Sequence, residues 1–421
     1  MPHFEEHRWT ADLAAFGGRK SRQSFVYRAF VPDRIGTLDF SLPVEVSAAM
    51  ADAERAVLEL NANPPALGSL EAIARRLLRA ESVASSQIEG LVMSQRRLAK
   101  AEFAGGDARD ETAISILGNI RAMEDALTLG AKAEPITVSA LLQLHQRLLA
   151  GGPHDHFAGK VREEQNWIGG TSSSPRGAEF IPPPHPHVRS LLEDLCVFLA
   201  REDLPATFQA AVVHAQFETI HPFVDGNGRV GRALIHVVLR RRGLTPRFVP
   251  PVSLVLAGNS KAYVRGLTSF REGDVAGWVA LFSSALRTAA RRAEQLAEEI
   301  HKLQESWLVQ AGYPRAHSVA RTVIDLLPAH PLVTVATAQE LTRRSKQATN
   351  EGVAALERAG VLKQITVGKR NRAWEAQGLF ELVNSFEHAL AAPDGSGKSV
   401  RPSPTGPRAS RFQERKTSQK R

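Results

Sequence analysis

One cysteine in 421 residues leaves no partner for an intrachain disulfide, so a packed interior rather than a covalent framework has to hold this chain together. Cys196 lies inside the apolar run Leu191–Leu199 and reads as part of that interior, which fits a reducing compartment. No stretch approaches eighteen consecutive apolar residues, and the opening Met-Pro-His-Phe-Glu-Glu-His-Arg-Trp lacks the apolar core of a signal peptide. The expectation is a soluble, cytoplasmic protein with no membrane partner. His154, His156, His185 and His187 crowd together without the spacing of a metal-ligand set. Acidic residues run short at one end. From Ala391 onward eight basic residues face two acids in a stretch rich in Pro, Ser and Gly, so most of the net charge of +9 belongs to a tail that reads as disordered. Such a tail solubilises the chain or meets acidic partners non-specifically.

The whole chain is 43% hydrophobic and 23% charged, over a length that allows two or three globular parts. Its densest chemistry is twelve residues, His221-Pro-Phe-Val-Asp225-Gly-Asn-Gly-Arg229-Val-Gly-Arg232. Apolar residues recur at helical spacing from Val230 to Val238, and Arg240-Arg-Arg-Gly243 supplies a basic last turn with a glycine stop. A helix is therefore expected to begin at Asn227 or Gly228, with Gly226-Asn227-Gly228 as the turn that enters it. Glycines there let the backbone approach a ligand, and unpaired N–H groups at the positive end of the helix dipole favour phosphate. Arg229 and Arg232 lie three apart with fork geometry suited to phosphate oxygens. Asp225 is a hard oxygen ligand where Mg²⁺ would bridge two phosphates. His221 ends the apolar helix Phe208–Ile220, and an imidazole with a pKa of about 6.5 is suited to take a proton from a hydroxyl. Each residue alone has an ordinary reading as core, turn or solvated face; together they point to nucleotide chemistry.

The window resembles the Fic domain signature, His-x-Phe-x-(Asp/Glu)-Gly-Asn-Gly-Arg-x-x-Arg, at every fixed position. The resemblance implies a helical core that transfers AMP from ATP to a Ser, Thr or Tyr hydroxyl of a protein target. It makes His221 the base, Asp225 the Mg²⁺ ligand, Gly226, Asn227 and Gly228 the anion hole, and Arg229 and Arg232 the phosphate contacts, with Val230 and Gly231 lining the same turn. Tyr263 matches the place of an aromatic near adenine. Arg271 stands where relatives commonly carry a base-contacting Asn, which leaves the base open, and AMP removal or another donor nucleotide stays open with it.

Upstream, Leu70, Ile73, Leu77, Ala80, Ala84 and Ile88 make the stripe of a helix ending at Gly90. Glu89 then sits at the unfavourable end of the helix dipole unless a cation meets it. Ser85-Ser-Gln-Ile-Glu89-Gly90 is similar to the Fic inhibitory motif, which implies that Glu89 pairs with Arg232 in the place of the γ-phosphate. The runs Glu163–Ile168 and Ala178–Ile181 around a Gly- and Ser-rich turn read as an exposed hairpin. By the same resemblance it is a flap that aligns a target chain by strand addition.

Beyond the signature, Val279, Phe282, Leu286, Ala289, Ala293, Leu296, Ile300, Leu303 and Trp307 form a heptad-like seam in one long helix, whose first half has an ordinary reading as packing on the core and whose charged second half points to a homodimer. Segments 318–327, 337–341 and 346–359 read as short helices, followed by strand-like 361–367 and 372–375, an order similar to a winged helix-turn-helix. Ser345 would cap the third helix, with Lys346, Gln347, Thr349 and Asn350 at its exposed start and Lys369 and Arg370 on the wing, where DNA is one partner and protein docking the other. The whole reads as a mostly α protein. Residues 1–110 are an N-terminal helical region with the inhibitory helix, 111–275 the Fic core with its flap, and 276–313 the long helix. Residues 314–378 are the winged helix, and 379–421 the last helical turns and basic tail. The function expected is Mg²⁺-dependent protein adenylylation restrained by Glu89. The alternative is a DNA-binding transcriptional regulator whose Fic core senses a nucleotide.

Overall fold

The computed structural model describes residues 1–10, 23–62, 70–103, 110–171, 174–367 and 371–391. In chain order its elements are β1 (His3–Trp9), β2 (Phe25–Val31), α1 (Val44–Ala62), α2 (Leu70–Ile88), α3 (Gln95–Phe103), α4 (Glu111–Gly130) and α5 (Val138–Leu149). There follow α6 (His185–Leu199), α7 (Ala206–Ile220), α8 (Asn227–Arg241), α9 (Val252–Gly258), α10 (Ser260–Arg271) and α11 (Val275–Gln310). The C-terminal part holds α12 (Val319–Leu326), β3 (Leu332–Val333), α13 (Val335–Thr342), α14 (Lys346–Arg358), β4 (Leu362–Val367), β5 (Asn371–Ala376) and α15 (Leu379–Ala391). The protein is mostly helical, as its periodicity predicts, with small antiparallel sheets.

The centre is α7, largely apolar and buried at all fifteen positions, polar ones included, so it can only lie inside other helices. It packs against α8, α6 and α11, and α8 in turn lies on α4 and α2. Helix α8 stops as its sequence predicts: Gly243 takes positive φ and the N–H of Leu244 reaches back to the carbonyl of Leu239. Side-chain caps fix several other starts, Asp110 on α4, Thr137 on α5, Asp274 on α11 and Ser345 on α14.

Helix α11 runs 36 residues and takes part in two apolar clusters, one built with α1 through α10 and the other with α12 through α15. The seam that suggested a dimer is buried inside the chain: Val279, Phe282, Leu286, Ala289, Ala293, Leu296, Ile300 and Trp307 are each at most 1% exposed, covered by α1, α7, α9, α10, α12 and α15. A heptad repeat shows that a face is covered and not by what, and here the same chain covers it. The helix is capped by Asp274 and starts at Val275, one residue before the expected start at 276.

Three further departures follow from short-range sequence signals. His3–Trp9 and Phe25–Val31 form the antiparallel ribbon β1–β2, in register from His3 opposite Val31 to Trp9 opposite Phe25, where a helical region was expected. The expected flap hairpin forms only isolated bridges, Ile168 with Phe180 and Thr171 with Ser174, and the carbonyl of Ile181 accepts from Phe30 N, so the ribbon meets one of its edges. In the C-terminal unit three helices carry a sheet of order β3-β5-β4, whose first strand is too short to read from sequence. Thr349, expected at the exposed start of α14, is fully buried and its hydroxyl donates to Ser345 O. Lys369 and Arg370, and the tail from 392, lie outside the described residues.

Helices α4 and α5 approach closely behind the site, where a Cβ on Gly118 would stand 2.3 Å from the carbonyl oxygen of Leu148. Because that neighbour is backbone, Gly118→Ala must push the helices apart, and a denaturant melt should show a loss of about 1–3 kcal/mol. An unchanged midpoint would mean that the pair is free to slide.

Candidate active site

The residue that ends α7 is His221, held in the left-handed region at φ 49°, which turns the chain sharply toward α8. Its carbonyl accepts from Arg162 Nε at 2.9 Å and Asn166 Nδ2 at 3.3 Å, so this strained backbone is tied to the flap side of the site. The ring is 14% exposed, and its Nδ1 is buried with no hydrogen-bond partner. Burial, with the nearby charges of Arg162 and Arg271, pulls its pKa down to about 3 and keeps the imidazole neutral. The turn that follows is closed by Asn227, whose side chain accepts from Phe223 N and donates to Phe223 O, both at 2.8 Å. The Asn227 side chain is therefore a staple, and only its backbone is left to face an anion. Gly226 supplies the positive φ of 83° that starts α8, and a Cβ there would meet Leu148 Cδ2 at 2.8 Å.

Over the first turn of α8 lies the end of α2. Glu89 Oε1 accepts from Arg232 Nη2 at 2.7 Å, while Ser85 takes two more bonds from the same guanidinium, Nε to Oγ at 2.9 Å and Nη2 to the carbonyl at 2.7 Å. A Cβ on Gly228 would fall 2.0 Å from Glu89 Oε1, so the carboxylate rests directly against the helix N-terminus. The cation that the dipole argument required is Arg232. Burial alone disfavours its charge, yet Glu89, with Tyr263 and Glu218 nearby, holds its pKa above the ordinary value. Lower down α2, Glu81 meets His236 of α8 at 2.9 Å and takes the N–H and hydroxyl of Ser253, with the Glu81 and His236 side chains both fully buried.

Asp225 lies at the rim, its side chain 35% exposed, with Oδ2 3.0 Å from Arg229 Nη2. Burial works against its charge, but Arg229 and His154 keep its pKa below the usual carboxylate value. Among the described residues no group of three or more His, Cys, Asp or Glu is gathered for a metal. A lone ionised carboxylate still fits Mg²⁺ that arrives with phosphates and keeps its waters. Arg229 Nε is buried and unpartnered, an N–H left for an anion.

Residues 135–239, which contain this turn, match the Fic/DOC family, and residues 47–128, which contain Ser85, Glu89 and Gly90, match the Fic/DOC family N-terminal segment. These two segments are similar to the Fic/DOC family. The chain is 35% identical over 100 residues to a probable protein adenylyltransferase of Aquifex aeolicus (strain VF5), covering 24% of this chain and 29% of that protein. It is 29% identical over 235 residues to the protein adenylyltransferase Fic of Drosophila willistoni, covering 53% of this chain and 44% of that one. The match thus spans less than half the length of these relatives. A solved Fic family protein from Desulfovibrio desulfuricans G20 overlaps 80% of this chain and 98% of its own at 18% identity, with a TM-score of 0.49.

Around the 226–232 turn several placements depart from the sequence reading. Tyr263 presents no open ring to a base: it is 4% exposed, its hydroxyl is 2.9 Å from His214 Nε2, and it packs on Trp278. Val230 and Gly231 are buried on the α7 side, where a Cβ on Gly231 would meet Glu218 Oε1 at 2.7 Å. Gly90 ends α2 at φ 79°, beyond the contact itself. Arg271 lies over the Phe180 ring at 3.8 Å, so it joins the flap to the site.

Sequence reasoning missed His145, Arg162 and Glu218. His145 Nε2 donates to Asp225 O at 3.0 Å, its Nδ1 accepts from Gly159 N, and its ring stacks on Phe223 at 3.7 Å, so it props the Asp225 turn from α5. Arg162 also donates to the carbonyls of Glu164 and Pro183. The available signals were a histidine on the apolar stripe of α5 and a single acid in the otherwise uncharged core of α7.

Burial holds His145 neutral down to about 4 and His214 down to about 3, as it does His221, whereas it raises Glu218 and Glu387 to about 7. Between about pH 6.5 and 4.5 the unfolded chain therefore binds three protons on these histidines that the folded protein refuses, and the folded protein binds two on these glutamates that the unfolded chain lacks. The net of one proton favours unfolding, so stability should fall on acidification by up to about 1.4 kcal/mol per pH unit in that window, and more steeply below it as the unfolded glutamates also protonate. Urea midpoints measured from pH 7 to 4 check the sign, and a midpoint that rises toward pH 5 would contradict it.

Proposed function

We propose that the chain is a Mg²⁺-dependent protein adenylyltransferase, transferring AMP from ATP to a Ser, Thr or Tyr hydroxyl of a protein target and held back by Glu89. The observation that carries this reading is the Glu89 carboxylate seated on Gly228 and Arg232, an anion already resting on the N-terminus of α8 in the place a phosphate would take. The names of the relatives support the same activity.

In this reaction the target oxygen bonds to the α-phosphorus, the bond from that phosphorus to its bridging oxygen breaks, and pyrophosphate leaves. The hydroxyl proton passes to neutral His221. Backbone N–H groups of the 226–228 turn with Arg229 and Arg232 bind the phosphates and fix their orientation, which supplies most of the rate. Asp225 is the residue that would hold Mg²⁺, whose bound charge offsets that of the phosphates. Val230 and Gly231 serve by keeping the helix start close to α7, and Tyr263 acts behind Arg232. Ser85 and Gly90 position Glu89, the inhibitory group. The flap offers a target-aligning edge on the side away from the ribbon.

The C-terminal unit is proposed as a winged helix. A second reading, a DNA-binding regulator whose Fic core senses a nucleotide, is favoured by the exposed Arg343, Arg344, Lys346, Gln347 and Asn350 around the start of α14. Arg344→Ala with Lys346→Ala should then weaken DNA binding uniformly across sequences and flatten its salt dependence in an anisotropy titration. Absence of any salt-dependent binding by the parent leaves protein docking as the role of the unit.

With labelled ATP and Mg²⁺, Glu89→Gly should raise label transfer, including self-modification, by about 10-fold or more, because it frees Arg232 for the γ-phosphate. Arg232→Ala should abolish transfer in either background, a strongly non-additive pair. His221→Ala should lose transfer while ATP binding persists. Parental transfer by His221→Ala would remove the base, and an unchanged rate in Glu89→Gly would remove the inhibition.

A further inference from the structure

Glu218 is the one acid in α7, 6% exposed and one turn before His221. Its Oε2 lies 3.9 Å from His221 Nδ1, a buried atom with no side-chain partner that the backbone of Glu218 also faces, while its Oε1 is buried and unpartnered beside Gly231 of α8. A carboxylate buried in a helix core is costly, and the nearby charge of Arg232 offsets part of that cost without using the oxygen that faces His221. We propose that Glu218 is the positioning residue of His221: it accepts the Nδ1–H of the imidazole and so leaves the Nε2 lone pair facing the hydroxyl to be deprotonated. This rests on the adenylyltransferase reading above and adds to it the group that sets the tautomer of the base.

The atoms around the pair fit that role. Glu218 is faced by Glu89 at the end of α2, by Arg232 on α8 and by Arg271 and Tyr263 on α10, while His221 is faced by Arg162, Arg271 and Asp225. Arg271, whose Nε is also buried and unpartnered, thus acts on both members from the flap side. When Nε2 takes the proton of the target hydroxyl, the imidazolium formed is flanked by a carboxylate on its far side. Burial, with Glu89 adding to it, lifts the Glu218 carboxyl to about 7. Once protonated, Glu218 would donate to Nδ1 instead, and the imidazole proton would then sit on Nε2, where it blocks the base.

The test uses the full chain labelled with ¹⁵N-histidine, its His221 signals identified by their loss in His221→Ala, together with transfer assays in the Glu89→Gly background. At pH 8 the parent ring should be Nδ1-protonated. Glu218→Leu, which removes the acceptor at similar volume, should shift it toward the Nε2-protonated form and lower kcat about 100-fold with little change in KM for ATP. Glu218→Gln, the conservative variant and the one to use if the leucine form does not fold, should retain more activity at pH 8 and lose the fall in kcat that the parent shows on acidification through neutral pH. An Nε2-protonated His221 in the parent at pH 8 would overturn the proposal. So would parental kcat and tautomer in Glu218→Leu, or an unchanged pH profile in Glu218→Gln, while His221→Ala is inactive. Transfer retained by His221→Ala would instead break the underlying reading of the base, and the tautomer spectrum, recorded without nucleotide, would still decide whether Glu218 orients the ring.

Discussion

The guanidinium of Arg232 is buried to 1% exposure in the middle of a helical core, and it is the group around which the rest of the site is built. A cation so placed cannot stand alone: breaking a buried pair by removing one partner typically costs about 3–5 kcal/mol. Three elements converge to meet it, with Glu89 and Ser85 from the end of α2, Glu218 from α7 and Tyr263 from α10. In the proposed reaction the same demand for an anion would make Arg232 a receptor for phosphate. Inhibition and substrate binding would then be two ways of answering one electrostatic requirement.

This explains why the surface of α2 that meets the core is so polar. Glu81, Ser82, Ser85 and Ser86 are all fully buried. Asn119 of α4 donates to Ser82 O and Ser86 Oγ, Glu81 meets His236, and Ser85 meets Arg232. Directional bonds fix the rotation and height of a helix more sharply than apolar contact, because a slide of one residue would leave several buried groups unpaired. The position of the Glu89 carboxylate over Gly228 is thus set by contacts that begin two turns away.

How much of this was legible depended on sequence distance. The turn from His221 to Arg232 could be read because its groups lie within twelve residues on one helix start, where helical geometry alone fixes their directions. The end of α2 at Gly90 was legible from its stripe, and its need for a cation from the dipole. His145, 80 residues from Asp225, and Arg162, 59 from His221, were not, because only the packed helices bring them in. That the Asn227 side chain closes the 226–228 turn was not legible, and Tyr263 was read as an open aromatic when its ring is core; residue type does not record which face a packed neighbour covers. The ribbon β1–β2 escaped because its charged, alternating residues resemble a solvated helix face as much as a strand. The long seam of α11 was legible as a buried face, but its partner was not.

Helix α11 carries a consequence for how the protein loses its structure. One unbroken helix supplies Phe282, Leu286 and Ile300 to the larger cluster and Trp307 and Leu308 to the smaller, and α15 returns from the smaller to lie on α9 and α11. Melting its last turns would expose Trp307, whose indole N–H donates to Gln377 O at 3.0 Å, and so strip the C-terminal sheet of a support. Amide protons along the whole helix should therefore exchange as one slow block, and whatever tightens either end, a nucleotide near α8 or a macromolecule on α14, would slow exchange at the other by linkage alone.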